Sequence, residues 1–167
     1  MKNNIKPIGI PPFLETNFIF SHFKIVSVDK VYVGLINSDL EKIKYVNVKK
    51  SPHYYFVCEY LGIKSSYKQS TINYFDYIKS NKRDLKSEIK FIQLIESIKK
   101  NGYNYKENPI LVYRTIKKPF PLGRFFTADG FHRLSILAAL GHKNINVGVL
   151  KRKQSFISRL KKRFNEI

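Results

Sequence analysis

Residues 125–150 read FFTADGFHRLSILAALGHKNINVGVL, and this stretch decides the fold. An apolar segment, residues 125–128, runs directly into Asp129-Gly130. Apolar residues then recur at helical spacing until Gly141, and a second apolar segment spans residues 145–150. The pattern predicts a strand, a tight turn, a helix, a second turn and a second strand.

The first of these turns collects three polar side chains, Asp129, His132 and Arg133. A helix N-terminus offers unpaired backbone N–H groups and a partial positive charge. Gly130 lets a ligand approach the backbone closely, and the planar guanidinium of Arg133 suits phosphate. The turn therefore predicts an anion site, with phosphate as the first ligand to consider. A purely structural interpretation stays open, with Asp129 as the helix N-cap and His132 and Arg133 as solvated residues.

The sequence before this stretch supplies two further elements. Apolar residues recur at spacings of four and three from Leu85 to Ile98, which predicts an amphipathic helix that stops at Asn101-Gly102. Residues 109–113, Pro-Ile-Leu-Val-Tyr, read as a short strand with proline at its start, where a missing N–H does least harm. The order over residues 85–150 is thus helix, strand, loop, strand, helix and strand.

This order and its motifs resemble the ParB/sulfiredoxin superfamily. That group includes the N-terminal nucleotide-binding domain of ParB partition proteins, sulfiredoxin and free-serine kinases. Its shared element is a turn of the form Gly-x-x-Arg or Gly-x-His-Arg that binds nucleotide phosphates, here Gly130-Phe131-His132-Arg133. The resemblance implies an α+β fold: a single ParB/sulfiredoxin-like domain whose small mixed sheet has helices packed mainly on one side.

The chain departs from two members of that group. Sulfiredoxin carries its catalytic cysteine immediately before the His-Arg pair, where this chain has Phe131, and the single cysteine here is Cys58. Thiol chemistry at the turn is therefore not expected. ParB proteins continue into a helix-turn-helix module, for which the residues after Leu150 are too few, so partition-type recognition of DNA is not expected either.

The chain also resembles small ParB-like proteins of bacterial surface-polysaccharide gene clusters. The shared features are the DG-x-HR-x-x-IL segment, Asp129 to Leu137, and the upstream SPHY segment, Ser51 to Tyr54. This resemblance marks His53 as a candidate for the wall facing the phosphate turn. The tyrosines of residues 51–80 are interpreted as packing residues.

Composition and hydrophobic patterning predict the number of domains, the structure of the remaining segments and the location of the protein. A chain of 167 residues that is 43% hydrophobic predicts one globular domain, residues 1–150. Residues 1–20 are predicted to form an extended arm because three prolines preclude a regular helix. Residues 22–34 predict a strand, or a hairpin turning near Asp29, and residues 45–48 a further strand. One cysteine and the lack of a long apolar run favour a cytoplasmic protein.

The formal net charge of +19 has several explanations. Lysine supplies 24 of the 31 basic residues, and only 7 are arginines, on which sequence-reading nucleic-acid binders rely. Nucleic acid is therefore a possible but not a favoured partner. An anionic membrane surface or an anionic sugar-phosphate substrate explains the charge equally well.

The C-terminal segment, residues 151–167, predicts a basic amphipathic helix. On a helix over residues 155–167, one apolar stripe is flanked by four cations. Such a helix is typical of an anchor at the inner face of a membrane. The alternative is that the stripe docks on the domain and the cations are solvated.

The phosphate turn, together with the resemblance to free-serine kinases, implies a nucleotide-dependent phosphotransferase acting on a small molecule or a surface-glycan sugar. Gly130 and Phe131 would present N–H groups to the phosphates of ATP or another nucleotide, and Arg133 would offset the transferring charge. His132 would orient a phosphate or the acceptor, and Asp129 would bind Mg²⁺ or act as a base. The alternative is a nucleotide- or nucleic-acid-binding ParB-like module without catalytic turnover.

Overall fold

The structure is a computed structural model that describes residues 18–37, 42–65, 74–80, 86–114 and 123–152. The predicted C-terminal helix over residues 155–167 lies outside the described residues. So does the predicted N-terminal arm, except that its last residues, 18–20, begin the first strand.

The described part of the chain contains six strands and four α-helices. The strands are β1 (Phe18–Ser27), β2 (Val31–Asn37), β3 (Lys42–Asn47), β4 (Leu111–Tyr113), β5 (Phe125–Asp129) and β6 (Asn144–Arg152). The helices are α1 (Pro52–Tyr60), α2 (Tyr74–Ser80), α3 (Lys86–Asn101) and α4 (Phe131–Ala139). Short 3₁₀ turns at Val28–Lys30 and Val48–Lys50 follow β1 and β3.

The six strands form one mixed sheet in the order β1-β6-β4-β5-β2-β3. The pairs β1/β6, β4/β5 and β2/β3 are antiparallel, whereas β4/β6 and β5/β2 are parallel. The prediction of a single small α+β domain built on a mixed sheet is therefore confirmed.

The alternative that residues 22–34 form a hairpin is wrong. Strand β1 pairs with β6, and β2 lies between β5 and β3. The 3₁₀ turn between them redirects the chain, and the Val28 N–H donates to the Lys143 carbonyl at 3.0 Å. An alternation of apolar residues specifies which face of a strand is buried but not which strand lies beside it.

The helices pack on one face of the sheet, as the sequence predicted. Buried residues of the strands and helices share a single core, among them Val33, Val112, Phe125 and Val147 from the sheet and Val57, Ile95 and Leu137 from the helices. On the opposite face, ring contacts link Phe126 to Tyr45 at 4.9 Å and to Tyr113 at 5.8 Å between ring centroids. The hydroxyls of Tyr45 and Tyr113 lie 3.2 Å apart in a hydrogen bond.

Helices α1 and α2 were not predicted from the sequence. Ser51 caps α1 by accepting a hydrogen bond from the Tyr54 N–H at 3.3 Å, and Pro52 occupies the first turn. Residues 52–58 are all buried, so the helix has no polar face for most of its length. A helix buried on every side lacks the amphipathic period by which helices are recognised in a sequence.

Candidate functional site

The predicted phosphate turn joins β5 to α4. Gly130 is the N-cap residue, with φ +82° and ψ +26°, and the first helical hydrogen bond runs from the Leu134 N–H to the Gly130 carbonyl at 2.9 Å. No side chain caps this helix N-terminus. The structural interpretation of Asp129 as N-cap is therefore wrong, because the cap position is taken by a glycine in the left-handed region that favours it.

Gly130 is also required by close packing. A Cβ atom at this position would lie 2.9 Å from the Cα atom of Ile110 and 3.0 Å from Nη2 of Arg133. The first neighbour is backbone and cannot rotate away. The space beside the missing side chain is thus filled by the protein itself.

Arg133 is held by two acceptors of the protein. Its Nη2 donates to the Pro109 carbonyl at 3.1 Å and to Oδ2 of Asp129 at 3.3 Å. The guanidinium therefore ties the turn to the segment that precedes β4. Nε of Arg133 is buried and has no hydrogen-bond partner within the part of the chain that the structure describes.

This ion pair orients the carboxylate of Asp129. The side chain of Asp129 is 37% exposed and that of Arg133 is 22% exposed, so the pair lies at the surface edge of the turn. Only Oδ2 is engaged by Arg133, and the carboxylate remains accessible to a ligand. The pair bridges the turn, because Asp129 ends β5 and Arg133 lies in the first turn of α4.

A groove of about 360 Å³ opens beside the turn. It lies beside the middle of β2, where β5 ends and α4 begins. Its walls come from Val33 and Gly34 of β2, from residues 127–133 and from Leu94 of α3. The groove brings the carboxylate of Asp129 and the N-terminus of α4 to one opening, which Gly130, Phe131, His132 and Arg133 also line.

His53 lies behind the turn and does not line this groove. It is 1% exposed, and its ring centroid is 4.0 Å from that of Phe131 and 4.9 Å from that of His132. Tyr74 and Phe91 pack around it, at 4.9 Å and 6.0 Å between ring centroids. The structure thus brings His53 to the first turn of α4, as a packing neighbour of its side chains and not as an exposed wall.

Tyr103 is a member of the site that the sequence did not predict. Its hydroxyl accepts a hydrogen bond from the Ile110 N–H at 2.7 Å. Burial raises the pKa of Tyr103 to about 12, and the nearby charges of Arg133 and Asp129 also act on that pKa. Tyr103 lies in the loop that follows the end of α3. No pattern in the sequence signals its contact with Ile110, the residue against which Gly130 packs.

The described residues contain no group of three or more histidine, cysteine, aspartate or glutamate side chains able to hold a metal ion. Asp129 is a single carboxylate in its groove. Mg²⁺ accepts one or two carboxylates together with water and substrate phosphates. The residues at the turn therefore fit a Mg²⁺ ion that arrives with a nucleotide better than one bound by the protein alone.

No family model matches the chain, and the comparisons with curated proteins and with solved structures found no match either. Within the described ranges, no helix has the length and apolar character needed to cross a membrane. The functional argument therefore depends on the geometry of the site itself.

Proposed function

We propose that the protein is a nucleotide-dependent phosphotransferase of the ParB/sulfiredoxin type. The observation that carries this proposal is the groove at the N-terminus of α4, where a helix without a side-chain cap and the carboxylate of Asp129 share one opening. A helix N-terminus stabilises an anion through its free N–H groups and its partial positive charge. The net charge of +19 adds long-range attraction for a nucleotide.

The phosphates of ATP or another nucleotide would accept hydrogen bonds from the backbone N–H groups of the first turn of α4, at Phe131 and His132. Arg133 lies next to this position, although in the structure its Nη2 is engaged by Asp129 and Pro109. A second role for Arg133 is therefore to position Asp129. An Arg–carboxylate contact of this kind restricts the carboxylate to one orientation.

The reaction would transfer the terminal phosphoryl group to a hydroxyl of the acceptor. The acceptor oxygen forms the new bond to phosphorus while the bond from phosphorus to the bridging oxygen of the nucleotide breaks. The hydroxyl proton would pass to the carboxylate of Asp129. If Asp129 were instead a ligand of a Mg²⁺ ion that arrives with the nucleotide, the ion would supply positive charge beside the phosphates and the proton would leave to solvent. His132 is half-buried and would orient a phosphate or the acceptor, with His53 packed behind it.

The acceptor would be a small molecule or a sugar of a surface glycan. A groove of about 360 Å³ falls at the lower end of the range typical of small-molecule sites. The resemblance to proteins of surface-polysaccharide clusters supports the sugar, and it also supports a cytoplasmic location, where activated sugars and nucleotides are available together.

Substitution of Asp129 tests the proposal. Asp129→Asn keeps an acceptor for Arg133 and removes the charge, so nucleotide binding should persist while transfer falls by about 10²-fold or more. Glu107→Gln removes an exposed carboxylate elsewhere and should change neither. Calorimetry with ATP, CTP and GTP in the presence of Mg²⁺ measures binding. ³¹P NMR with candidate sugar and amino-acid acceptors measures transfer.

Two outcomes would contradict the phosphotransfer proposal. Binding of a nucleotide without transfer to any acceptor would favour the alternative, a binding module without turnover. Absence of binding, or equal effects of Asp129→Asn and Glu107→Gln, would remove the turn as the site.

We also propose that residues 155–167 attach the protein to the inner face of the membrane as a peripheral helix. The support is the sequence pattern, a single apolar stripe with four flanking cations and no acidic residue before Glu166. Each cation near an anionic surface contributes about 1 kcal/mol of binding free energy.

A further inference from the structure

A second groove, of about 340 Å³, lies at the opposite end of β5 from the Gly130 turn. Phe125 begins β5 and lines this groove, whereas Asp129 ends β5 and lines the first one. The second groove is bordered by cationic and histidine side chains from two strands and from the residue that follows β4, namely His22, Lys24, Arg114, Lys151 and Arg152. Phe125, Val149 and Leu150 line its apolar part.

Strand register explains why these cations converge. In the antiparallel pair β1/β6, His22 lies opposite Val149 and Lys24 lies opposite Val147. Residues two apart on a strand share a face, so Lys151 lies on the same face as Val149. Strand β4 runs parallel to β6 on its other side, and Arg114 follows β4 at the same end of the sheet. None of the helices in the described residues contributes to the lining of this groove.

The cations of this groove have no acidic partner in the described residues. The ion pairs of the described residues are Lys49–Asp29, at 2.8 Å, and Arg133–Asp129, and neither involves a residue of the groove. Lys24, Arg114 and Lys151 are all exposed at the groove. Several like charges held together without a counter-charge attract an anionic ligand, and its binding relieves their mutual repulsion.

Arg114 gives the groove a flat surface as well as a charge. Its guanidinium lies over the ring of Phe125, 4.6 Å from the ring centroid. Phe125 is 3% exposed, so the ring supports one face of the guanidinium while the other face is directed away from the core. Nucleic-acid bases stack on guanidinium planes as they do on aromatic rings.

We infer that this groove binds single-stranded nucleic acid. The phosphates would lie against Lys24 and Lys151, and a base would stack on the outer face of Arg114. A membrane surface fits less well, because the apolar residues Val149 and Leu150 are only 8% and 3% exposed and cannot insert into lipid. An acidic glycan lacks the planar rings that would use the Arg114 surface.

The inferred binding is independent of base sequence. It uses backbone charge and stacking, both of which every base and phosphate provides. The scarcity of arginine argues against reading of base edges, but it does not argue against this mode. The inference goes beyond the phosphotransfer proposal and involves none of the residues at the Gly130 turn.

Removal of charge at the groove is the first test. The probe is a fluorescein-labelled oligothymidylate of about 12 nucleotides, within the range of single-strand site sizes. Anisotropy is measured over a salt series with the intact chain. The double variant Lys24→Gln/Lys151→Gln should weaken binding about tenfold at low salt and reduce the slope of log affinity against log salt by about 1.4.

The matched control is Lys99→Gln/Lys100→Gln, which removes the same charge from exposed residues at the end of α3. Neither lysine lines the groove. At an ionic strength of about 0.15 M, where the Debye length is about 8 Å, this variant should therefore change affinity less than about twofold. Equal losses in the two double variants would mean that overall charge alone attracts the oligonucleotide, and the inference would fail.

A charge-conserving pair tests stacking. Arg114→Lys keeps the charge and removes the planar surface, and it should weaken binding about five- to tenfold. Arg152→Lys, at the rim of the same groove, should have little effect. Equal effects would overturn the stacking role.

Groove-dependent binding of vesicles of anionic phospholipid or of heparin, without binding of the oligonucleotide, would overturn the choice of nucleic acid. Circular-dichroism melts check that each variant is folded, and nucleotide binding at the Gly130 turn should be unchanged in all of them.

Discussion

Replacement of Gly130 by alanine measures how tightly the phosphate turn is packed. Gly130 and Gly141 flank α4 and have nearly the same positive φ, +82° and +84°. A Cβ atom at Gly130 would meet the Cα atom of Ile110 at 2.9 Å, whereas a Cβ atom at Gly141 would have nothing within 4 Å. Gly141→Ala is therefore a control that carries the backbone strain without the steric clash.

The expected losses of stability follow from the backbone strain and the steric clash. A left-handed conformation costs an alanine about 1–2 kcal/mol, and both variants bear this cost. Overpacking against backbone that cannot rotate away adds about 1–3 kcal/mol at Gly130 alone. We therefore expect Gly130→Ala to lower the free energy of unfolding by roughly 2–5 kcal/mol and Gly141→Ala by roughly 1–2 kcal/mol.

Urea unfolding followed by circular dichroism gives both values, provided that the m-values agree with that of the parent protein. The difference between the two losses of stability measures the cost of the steric clash between the added methyl group at residue 130 and the backbone of Ile110. If the two variants lose the same stability, β4 does not approach the turn as closely as the structure has it, and the argument that packing requires a glycine there is refuted.

Three further predictions concern other parts of the chain. Tyr103→Phe should cost about 1–3 kcal/mol at neutral pH because it leaves the Ile110 N–H without its acceptor. Since the folded pKa of Tyr103 is raised to about 12 from an ordinary value of 10, its phenol contributes stability that is fully present below pH 10 and is lost as the pH rises towards 12. Urea melts between those pH values should show a shallower decline in the Phe variant, and an unchanged decline would contradict the raised pKa. Cys58→Ser should leave activity unchanged, because burial raises the pKa of the Cys58 thiol and disfavours the thiolate; a folded Ser variant without activity would revive thiol chemistry. Deletion of residues 155–167 should release the protein from anionic vesicles in co-sedimentation and leave its melting temperature unchanged, whereas a lowered melting temperature with no vesicle binding in the intact chain would indicate docking on the domain.

The sequence predicted the second half of the fold well. The predicted helix and strands of residues 85–150 correspond to α3, β4, β5, α4 and β6, with ends within a few residues. Each has a clear period and a strong stop, such as Gly102 or Gly141, both of which adopt positive φ. Helix α1 lacks such signals because residues 52–58 are all buried, and α2 is only seven residues long, too short to show a helical period. The neighbours of β1 and β2 are likewise set by tertiary contacts that no local pattern encodes.

The candidate site divides in the same way. Asp129 ends β5 and Arg133 lies in the first turn of α4, only four residues later, so the local sequence alone brings them together. The second acceptor of Arg133, the carbonyl of Pro109, is 24 residues away along the chain, and nothing local indicates it. The position of His53 behind Phe131 likewise depends on how α1 packs against α4.

The pairing of β1 with β6 has a consequence for the order of folding. Ser27 pairs with Asn144, and Phe18 pairs with Arg152, so each contact closes a loop of more than 100 residues. At a rate of synthesis of about 5–20 residues per second, β6 would be completed roughly 6 to 25 seconds after β1. During that time the apolar residues of β1, including Ile19 and Ile25, would have no strand to pair with, and pairing with another chain would compete. We expect nascent or truncated chains lacking β6 to require a chaperone, even where the helices have already formed.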